Sequence, residues 1–583
     1  MTVGWLARVA ALLIGGAALA PLAAQDAVVA DEVDGRQTLT VRMYAAAGSV
    51  APGGLGFVRV EIDGKDDREH DLDFELGTRD WSGYDIGVHR RLRLPPGERL
   101  RFFAPLPSGE HEVAYRLLVD GREHEASVAL ARGSGVTALL LSERGDELGA
   151  ATTLLGAVPR LGKASPTVTL CLPDDLPADW RLLTAFHLLI VDGRAPLPGE
   201  AQEAVRRFVF AGGIAVLVAP QNLPPGPLRT LLPLGAEVAG HGLGTVAALP
   251  TLASGGEPLR RVAAALPVLS PSPWPGALAS PEPQQVPGLG EPPVGGFLAI
   301  LILFAVVAGP LNLLWTRRRK RPLLLLATIP ALGLGTSVMI LGYGYLHDGL
   351  GVRGAETSWT WLDQARHEVA VVSLRTLFAG AAPADLQLGP DTFVISPRAS
   401  QRARRIVDNW RLELDSGRLG SGVLPPRTPT PLLVRQQGTA RERLRARRIG
   451  DQLELLPDGG IVPVGDVLLR DLDGIYWHGA AGRLARVSGN QASTSLAAWR
   501  SEAETLPLVG AEEVPWAGPR GEREPVSAAP VARRLLPQNE LPNGSYLLMT
   551  QVAPWLDQHG LEVAFDDRRH FVFGTMSAED FVR

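Results

Sequence analysis

Few side chains in this 583-residue chain have the type and spacing for covalent or metal chemistry. Cys171 is the single cysteine, so it is the one candidate thiol nucleophile and no internal disulfide can form. A working thiolate needs a lowered pKa and access. Cys171 is flanked by Leu170 and Leu172, which favours a small buried hydrophobe. His187 opens an apolar run with no carboxylate placed to orient it. The pairs His111-Glu112 and His124-Glu125 carry ligand-type side chains, but on alternating strands they read as solvent-facing residues. Asp471-Leu472-Asp473-Gly474 begins like a calcium loop. An EF-hand would need Glu eleven positions after Asp471, where Gly482 stands, so a turn is expected. There is no Walker A loop, HExxH, CxxC, GxSxG or glycine-rich dinucleotide fingerprint. No metal and no cofactor is expected.

The element that would position Cys171 and His187 spans residues 135–250. Val136–Leu141, Thr167–Leu172, His187–Val191 and Ile214–Ala219 are continuous apolar runs, as strands buried on both faces require. Glu147–Val158 and Glu200–Ala211 have helical spacing, with Ala204, Val205, Phe208 and Val209 on one face and Gly212-Gly213 as a cap. Strands alternating with helices predict a doubly wound parallel sheet. The series Leu188-Leu189-Ile190-Val191-Asp192, Leu197, Glu200-Ala201, Val205, Phe208-Val209 and Gly212–Leu217 resembles the core of class I glutamine amidotransferase-like domains, and so implies a flavodoxin-like α/β fold. In that family the working cysteine sits in a glycine-flanked elbow after a strand. Here the run ending at Val218 continues as Ala219-Pro220-Gln221, with no nucleophile, and Cys171 lacks flanking glycines.

Residues 30–133 read as a β-sandwich, from short β-forming runs separated by Gly, Pro and Asp. It resembles immunoglobulin-like domains in strand number, without their cysteine pair. Residues 251–293 read as a spacer, because Pro267–Pro293 holds nine prolines. Residues 350–583 return to β patterning, and a second sandwich is the expectation, with a mobile insertion over 510–540. Two basic runs, Arg402, Arg404 and Arg405, then Arg441, Arg443, Arg445, Arg447 and Arg448, read as solvated faces. Their functional alternative is contact with acidic lipid headgroups or an acidic partner.

Between these parts lies the stretch on which the chain is organised. Residues 294–316 and 322–346 carry no Asp, Glu, Lys or Arg, and each exceeds the roughly 20 apolar residues that cross a bilayer. Arg317, Arg318, Arg319, Lys320 and Arg321 join them, which makes a transmembrane hairpin with a basic, cytoplasmic turn. Pro310 and Pro330 should kink their helices at similar depth. Ala305 and Gly309, and Ala331 and Gly335, are spaced to let two helices approach closely, and Asn312 should bond a neighbouring helix. The segment Gly309–Trp315 with Arg317–Arg319 and Ile329-Pro330 resembles a family of bacterial two-span membrane proteins with a "GPLN" span. The resemblance implies genomic company with MoxR-type AAA ATPases and von Willebrand A-domain proteins.

The first residues read as a secretory signal: Arg8, an apolar core from Val9 to Ala20, and small residues at Ala23 and Ala24 with a cut near residue 24. The other reading of this stretch is an uncleaved anchor. Signal and basic turn agree in placing both large soluble regions outside the bacterial inner membrane. A net charge of -5 gives no global field for nucleic acid. The leading expectation is a non-enzymatic, membrane-anchored envelope scaffold that contacts lipid and protein partners. The alternatives are an auxiliary subunit of a transport system and an amide or ester hydrolase working through the α/β domain.

Overall fold

The computed structural model describes residues 27–33, 36–45, 54–79, 85–107, 112–129, 136–158, 167–232, 236–252, 257–266, 286, 294–381, 385–395, 411–413, 416–420, 423–458, 460–505, 540–557 and 559–582. The stretch read as a signal sequence, His111, Arg402, Arg404, Arg405, most of the stretch read as a spacer and almost all of residues 510–540 lie outside these residues. The described residues form several domains and are mostly β-sheet. It divides into two units, residues 1–276 and 277–583.

The first unit opens with eight antiparallel strands: β1 (Ala27–Val33), β2 (Arg36–Ala45), β3 (Leu55–Gly64), β4 (His70–Arg79), β5 (Asp85–Leu94), β6 (Arg99–Pro107), β7 (Glu112–Val119) and β8 (Arg122–Ala129). They form two sheets, ordered β1-β2-β3-β6 and β5-β4-β7-β8. Period-two alternation puts Leu39, Val41 and Met43 of β2 and Leu72, Phe74 and Leu76 of β4 inside. The sheets meet where Phe74 packs edge-to-face on Phe102, ring centres 5.5 Å apart. His70 ties the rim of this sandwich together. Its Nδ1 lies 2.7 Å from Asp120 and its Nε2 2.8 Å from Asp66. Burial pulls the His70 pKa down, but the two aspartates more than offset it, and the net shift is upward.

Six further strands make the second sheet system: β9 (Thr137–Leu141), β10 (Thr167–Cys171), β11 (Leu188–Asp192), β12 (Ile214–Val218), β13 (Val238–His241) and β14 (Gly244–Leu249). Their order is β10-β9-β11-β12-β14-β13. All neighbours are parallel except β13, which forms an antiparallel hairpin with β14. The helices Leu148–Ala157 and Glu257–Ala265 bury Ala151, Leu154, Leu155, Val262 and Ala263 on the face that shows Ala138, Leu140, Ile190 and Val216. Leu139, Leu189 and Leu217 point the other way by alternation, to the face of the helix Gly199–Phe210.

Two features differ from the sequence reading. Residues 257–265 are a helix and not part of a spacer. Pro258 stands at a helix start, where its missing N–H costs nothing, and Val262, Ala263 and Leu266 form one apolar stripe. The hairpin β13–β14 lies in a Gly- and Ala-rich stretch whose weak β-propensity hid it.

The sandwich and the parallel sheet are joined by backbone. Leu55 N donates to Thr184 Oγ1 at 2.9 Å and Ala185 N donates to Leu55 O at 3.0 Å. A Cβ on Gly54 would sit 2.4 Å from Thr184 O, so only glycine permits this approach.

The second unit begins with two helices long and apolar enough to cross a membrane, Val294–Arg318 and Leu325–Tyr345, the latter continuing to Asp348. Pro310 lies inside a π-helical turn, Val307–Leu311, which absorbs the hydrogen bond that proline cannot make. The helix from Leu325 runs through Pro330 without a break.

The remainder holds one continuous twelve-stranded sheet. Its order is Thr392–Ile395, Thr430–Thr439, Glu368–Ala379, Val352–Asp363, Val563–Thr575, Ser545–Thr550, Pro463–Arg470, Tyr476–Ala480, Leu484–Val487, Gln452–Asp458, Arg443–Ile449 and Phe581–Val582. The expected second sandwich is thus a single sheet folded over on itself. Leu444, Ala446, Leu453 and Leu455 from one half pack with Leu362, Val369 and Val371 from the other. Gln364 clasps the fold: it bonds Leu444 through both N–H and C=O and accepts from the Tyr546 hydroxyl at 2.9 Å. The helix Gly489–Thr505 covers the reverse face, with Trp499 edge-on to Phe571 at 6.2 Å.

Candidate functional site

Parallel strands deliver all their carboxyl ends to one edge. In a doubly wound sheet, ligands bind where crossovers leave neighbouring strands in opposite directions. Here that point lies between β9 and β11, because the chain leaves β9 for β10 on one side and β11 for β12 on the other. Ser142 follows β9, Asp192 ends β11, Cys171 ends β10 and Ala219 follows β12.

Four side chains at this edge form a closed knot. Ser142 Oγ donates to Glu147 Oε2 at 3.1 Å and to Asp192 Oδ2 at 3.3 Å, and accepts from Arg144 N at 3.1 Å. Asp192 Oδ1 accepts from Arg194 N at 3.0 Å and Nε at 2.8 Å, and Arg194 also pairs with Glu147. Burial pushes the Asp192 carboxyl up, but hydrogen bonds and charge from Arg194, with Ser142, hold it below the usual carboxylate value. Ser142 donates to carboxylates and has no imidazole beside it among these partners. The arrangement ties the ends of β9 and β11 to Glu147.

The sequence reading missed this knot. Its members lie 50 residues apart in the pairing of Ser142 with Asp192, and only the strand order unites them. A signal was present in the polar residues that end two apolar runs at the same edge.

Cys171 ends β10 at this edge and is buried. It is 6% exposed and its Sγ donates to Leu172 O at 3.4 Å. Burial, with Asp175 adding to it, pushes the thiol up to about 12, although Arg59 and Arg101 pull the other way. Those arginines both pair with Asp175. Ala219, which follows β12, sits in a left-handed bend, φ 49° and ψ 54°. Gly193 N donates to Val218 O at 2.7 Å, and a Cβ on Gly193 would fall 2.4 Å from Ala219 O. His187 lies at the opposite, amino-terminal edge, where its Nδ1 accepts from Thr137 N at 3.0 Å.

In the second unit, a buried polar belt separates two apolar cores. Arg375 Nε donates to Glu356 at 2.6 Å and Ser373 Oγ to the same oxygen at 2.7 Å. Ser358 Oγ lies 2.7 Å from His570 Nδ1, and Arg375 Nη1 donates to Asp557 O at 2.7 Å. Ser358 and His570 are both buried. Asp471 is consumed by Ile475 N at 2.8 Å and Trp477 Nε1 at 2.9 Å, which makes the predicted turn. Arg443, Arg445 and Arg447 face Asp580, Asp458 and Glu454, and Arg448 lies over Trp477.

The helix pair departs from the predicted packing. Ala305, Gly309, Pro310, Pro330, Ala331 and Gly335 are exposed, and a Cβ on Gly309 or Gly335 would meet nothing within 4 Å. The contact runs instead through Asn312, which exchanges hydrogen bonds with Thr328 at 2.8 and 3.1 Å, and through Phe297 edge-on to Tyr343 at 5.7 Å. A side-chain amide in an apolar pair gains more from a partner than small residues gain from close contact, so Asn312 selects the face. Arg317 to Arg321 are all exposed, and Arg319 lies 5.0 Å from the Trp315 ring centre.

No family model and no curated protein matches this chain. Among solved structures, an alkylpurine DNA glycosylase from Pseudomonas fluorescens is 10% identical over 16% of this chain and 30% of its own, TM-score 0.13. A cycloisomaltooligosaccharide glucanotransferase from Paenibacillus sp. is 6% identical over 30% and 27%, TM-score 0.14. A β-galactosidase from Bacteroides fragilis, itself tentatively assigned, is 11% identical over 33% and 38%, TM-score 0.13. The chain therefore spans well under half of each, and likeness at this level says nothing of its fold or activity.

Proposed function

We propose that this chain is a non-enzymatic, membrane-anchored scaffold of the bacterial envelope. The observation that carries this reading is the exposed apolar surface of the helix pair. Leu326 is 78% and Leu334 70% exposed on a helix with no Asp, Glu, Lys or Arg from Leu325 to His347, and surface of that kind suits lipid. Phe297 and Trp315 stand about 27 Å apart at 1.5 Å per residue, near the thickness of a hydrocarbon core. Aromatic rings at two such levels suit the two membrane interfaces.

In this reading Arg317–Arg321 is cytoplasmic and both large regions are extracytoplasmic. The strand order β10-β9-β11-β12-β14 is the order of flavodoxin-like sheets and supports the amidotransferase-like reading of the α/β domain. The knot at its crevice, the protonated Cys171 thiol and the methyl of Ala219 support a domain that binds through its surface. The eight-stranded part is read as an immunoglobulin-like module. Partners would be envelope proteins, with MoxR-type ATPases and von Willebrand A-domain proteins as candidates from the GPLN resemblance. In vivo cross-linking from the extracytoplasmic faces, followed by capture of the full chain, should give a reproducible set of exported proteins. Cross-links to none, together with fast native labelling of Cys171, would favour the hydrolase alternative.

A further inference from the structure

In the twelve-stranded β domain, the connection between the strands Ser545–Thr550 and Val563–Thr575 is tied across the buried polar belt. Trp555 enters one apolar core and Leu561 packs against the other. Between them, side chains of the sheet hold the backbone of this strap. Gln436 donates from Nε2 to Trp555 O at 2.6 Å and accepts from Asp557 N at 3.0 Å. Arg375 Nη1 donates to Asp557 O at 2.7 Å, and Gln387 N donates to His559 O at 3.0 Å.

His559 is the weak point of the strap. It is 1% exposed, yet neither ring nitrogen has a hydrogen-bond partner among the described residues. Asp557 Oδ2 stands 3.5 Å from Nδ1, a long contact that counts only when the ring is charged. The backbone of His559 is held in the left-handed region, φ 57°, where a non-glycine residue is strained. A buried imidazole without partners is tolerated while neutral and becomes costly once charged. The charges acting on it are Asp557 in the strap, Glu356 on Val352–Asp363 and Arg375 on Glu368–Ala379. On Val563–Thr575, Arg568 and His570 act on Glu356. Asp385–Gln387 and Thr430–Thr439 meet the strap through Gln387 and Gln436, which are uncharged. Glu356 is already bonded by Arg375 and Ser373, so only Asp557 is placed to receive the new charge.

We propose that His559 is a pH-operated latch: once protonated, it carries the strap off the polar belt and opens Glu356 and Arg375 to water. Burial lowers the His559 pKa, Arg375 adds to this, and Asp557 and Glu356 offset only part, so the net shift is below 6.5. The released ring therefore binds the proton more tightly than the latched one. The closed strap keeps its full stability above about pH 6.5 and loses it as pH falls below that value. Opening also relieves the left-handed backbone. The latch is a property of the β domain and holds on either side of a membrane.

The test is hydrogen exchange by mass spectrometry on the full chain in detergent micelles at pH 5 and pH 8, corrected for intrinsic exchange. Peptides from the connection should lose protection severalfold at pH 5 in the parent. His559→Asn keeps a side chain that tolerates the left-handed region and cannot titrate. It should abolish that loss, while the loss in Val563–Thr575 that His570 causes remains. Asp557→Asn removes the carboxylate beside the ring and should enlarge the loss. Protection in the parent connection that is unchanged or higher at pH 5 would overturn the proposal. So would a loss in His559→Asn equal to the parent's, or a smaller loss in Asp557→Asn.

Discussion

Chemistry in this chain is decided by burial. Cys171 lies at the edge of the sheet where a nucleophile would be useful, yet its thiol is pushed up to about 12 and stays protonated. Cys171→Ala should therefore cost about 1 kcal/mol of stability. A thiol reagent should label the native protein only after unfolding. Labelling of the native state at the rate of a free thiol would contradict this. The histidines carry a second prediction, with opposite signs in the two units. The native pKa of His70 is raised above its ordinary 6.5, so its stabilisation is complete below that value and is lost as pH rises through the raised one. Asp66 and Asp120 are held below 3.8, so their share is present above it and fades as pH falls through their native values. His70→Gln should destabilise the sandwich most between roughly pH 4 and 6.5 and least in alkali. His570 behaves in the reverse way. Burial lowers its pKa to about 4, with Arg568 and Arg375 adding to this against the pull of Glu356. Between that value and about 6.5 the unfolded chain binds the extra proton, so the β domain loses stability as pH falls through this window. Segment-resolved hydrogen exchange at pH 5 and pH 8 should show the sandwich gaining protection at pH 5 relative to His70→Gln. The strand Val563–Thr575 should lose protection there.

At the scale of elements, the helix pair gives the sharpest comparison. On a Cys171→Ala background, cysteines placed at 312 and 328 should form a disulfide, because Asn312 and Thr328 touch. Cysteines at Gly309 and Gly335 should not, and Gly309→Leu should leave the pair intact, since nothing lies near either glycine. Efficient cross-linking through 309 and 335 would restore the small-residue face and reject the Asn312 contact. Much of the fold was legible from the same physics. Largely apolar runs marked four of the five parallel strands, β9 to β12, to within a residue or two, because burial on both faces leaves few polar positions. Helical spacing found Leu148–Ala157 and Gly199–Phe210. The strand Arg443–Ile449 was not legible. Its alternating arginines read as a basic run, because their partners Asp458 and Glu454 belong to the next strand and only pairing brings them across. The knot of Ser142, Glu147, Asp192 and Arg194 was hidden for a similar reason, since sequence shows its parts and topology joins them.

For the molecule as a whole, two helices are long and apolar enough to cross a membrane, and the proposed anchor would enter the bilayer twice with both large regions on one side. Gly54 tests the rigidity of the outer part: Gly54→Ala drives a methyl against Thr184 O and should cost about 1–3 kcal/mol, loosening the sandwich from the parallel sheet. The central claim is tested more directly by alkaline phosphatase fusions, which are active only outside the cytoplasm. Fusions after residue 250 and after residue 400 should both be active, and one within Arg317–Arg321 should be silent. Silence after 250 or after 400, or activity from the basic turn, would contradict the two-span anchor and the scaffold built on it.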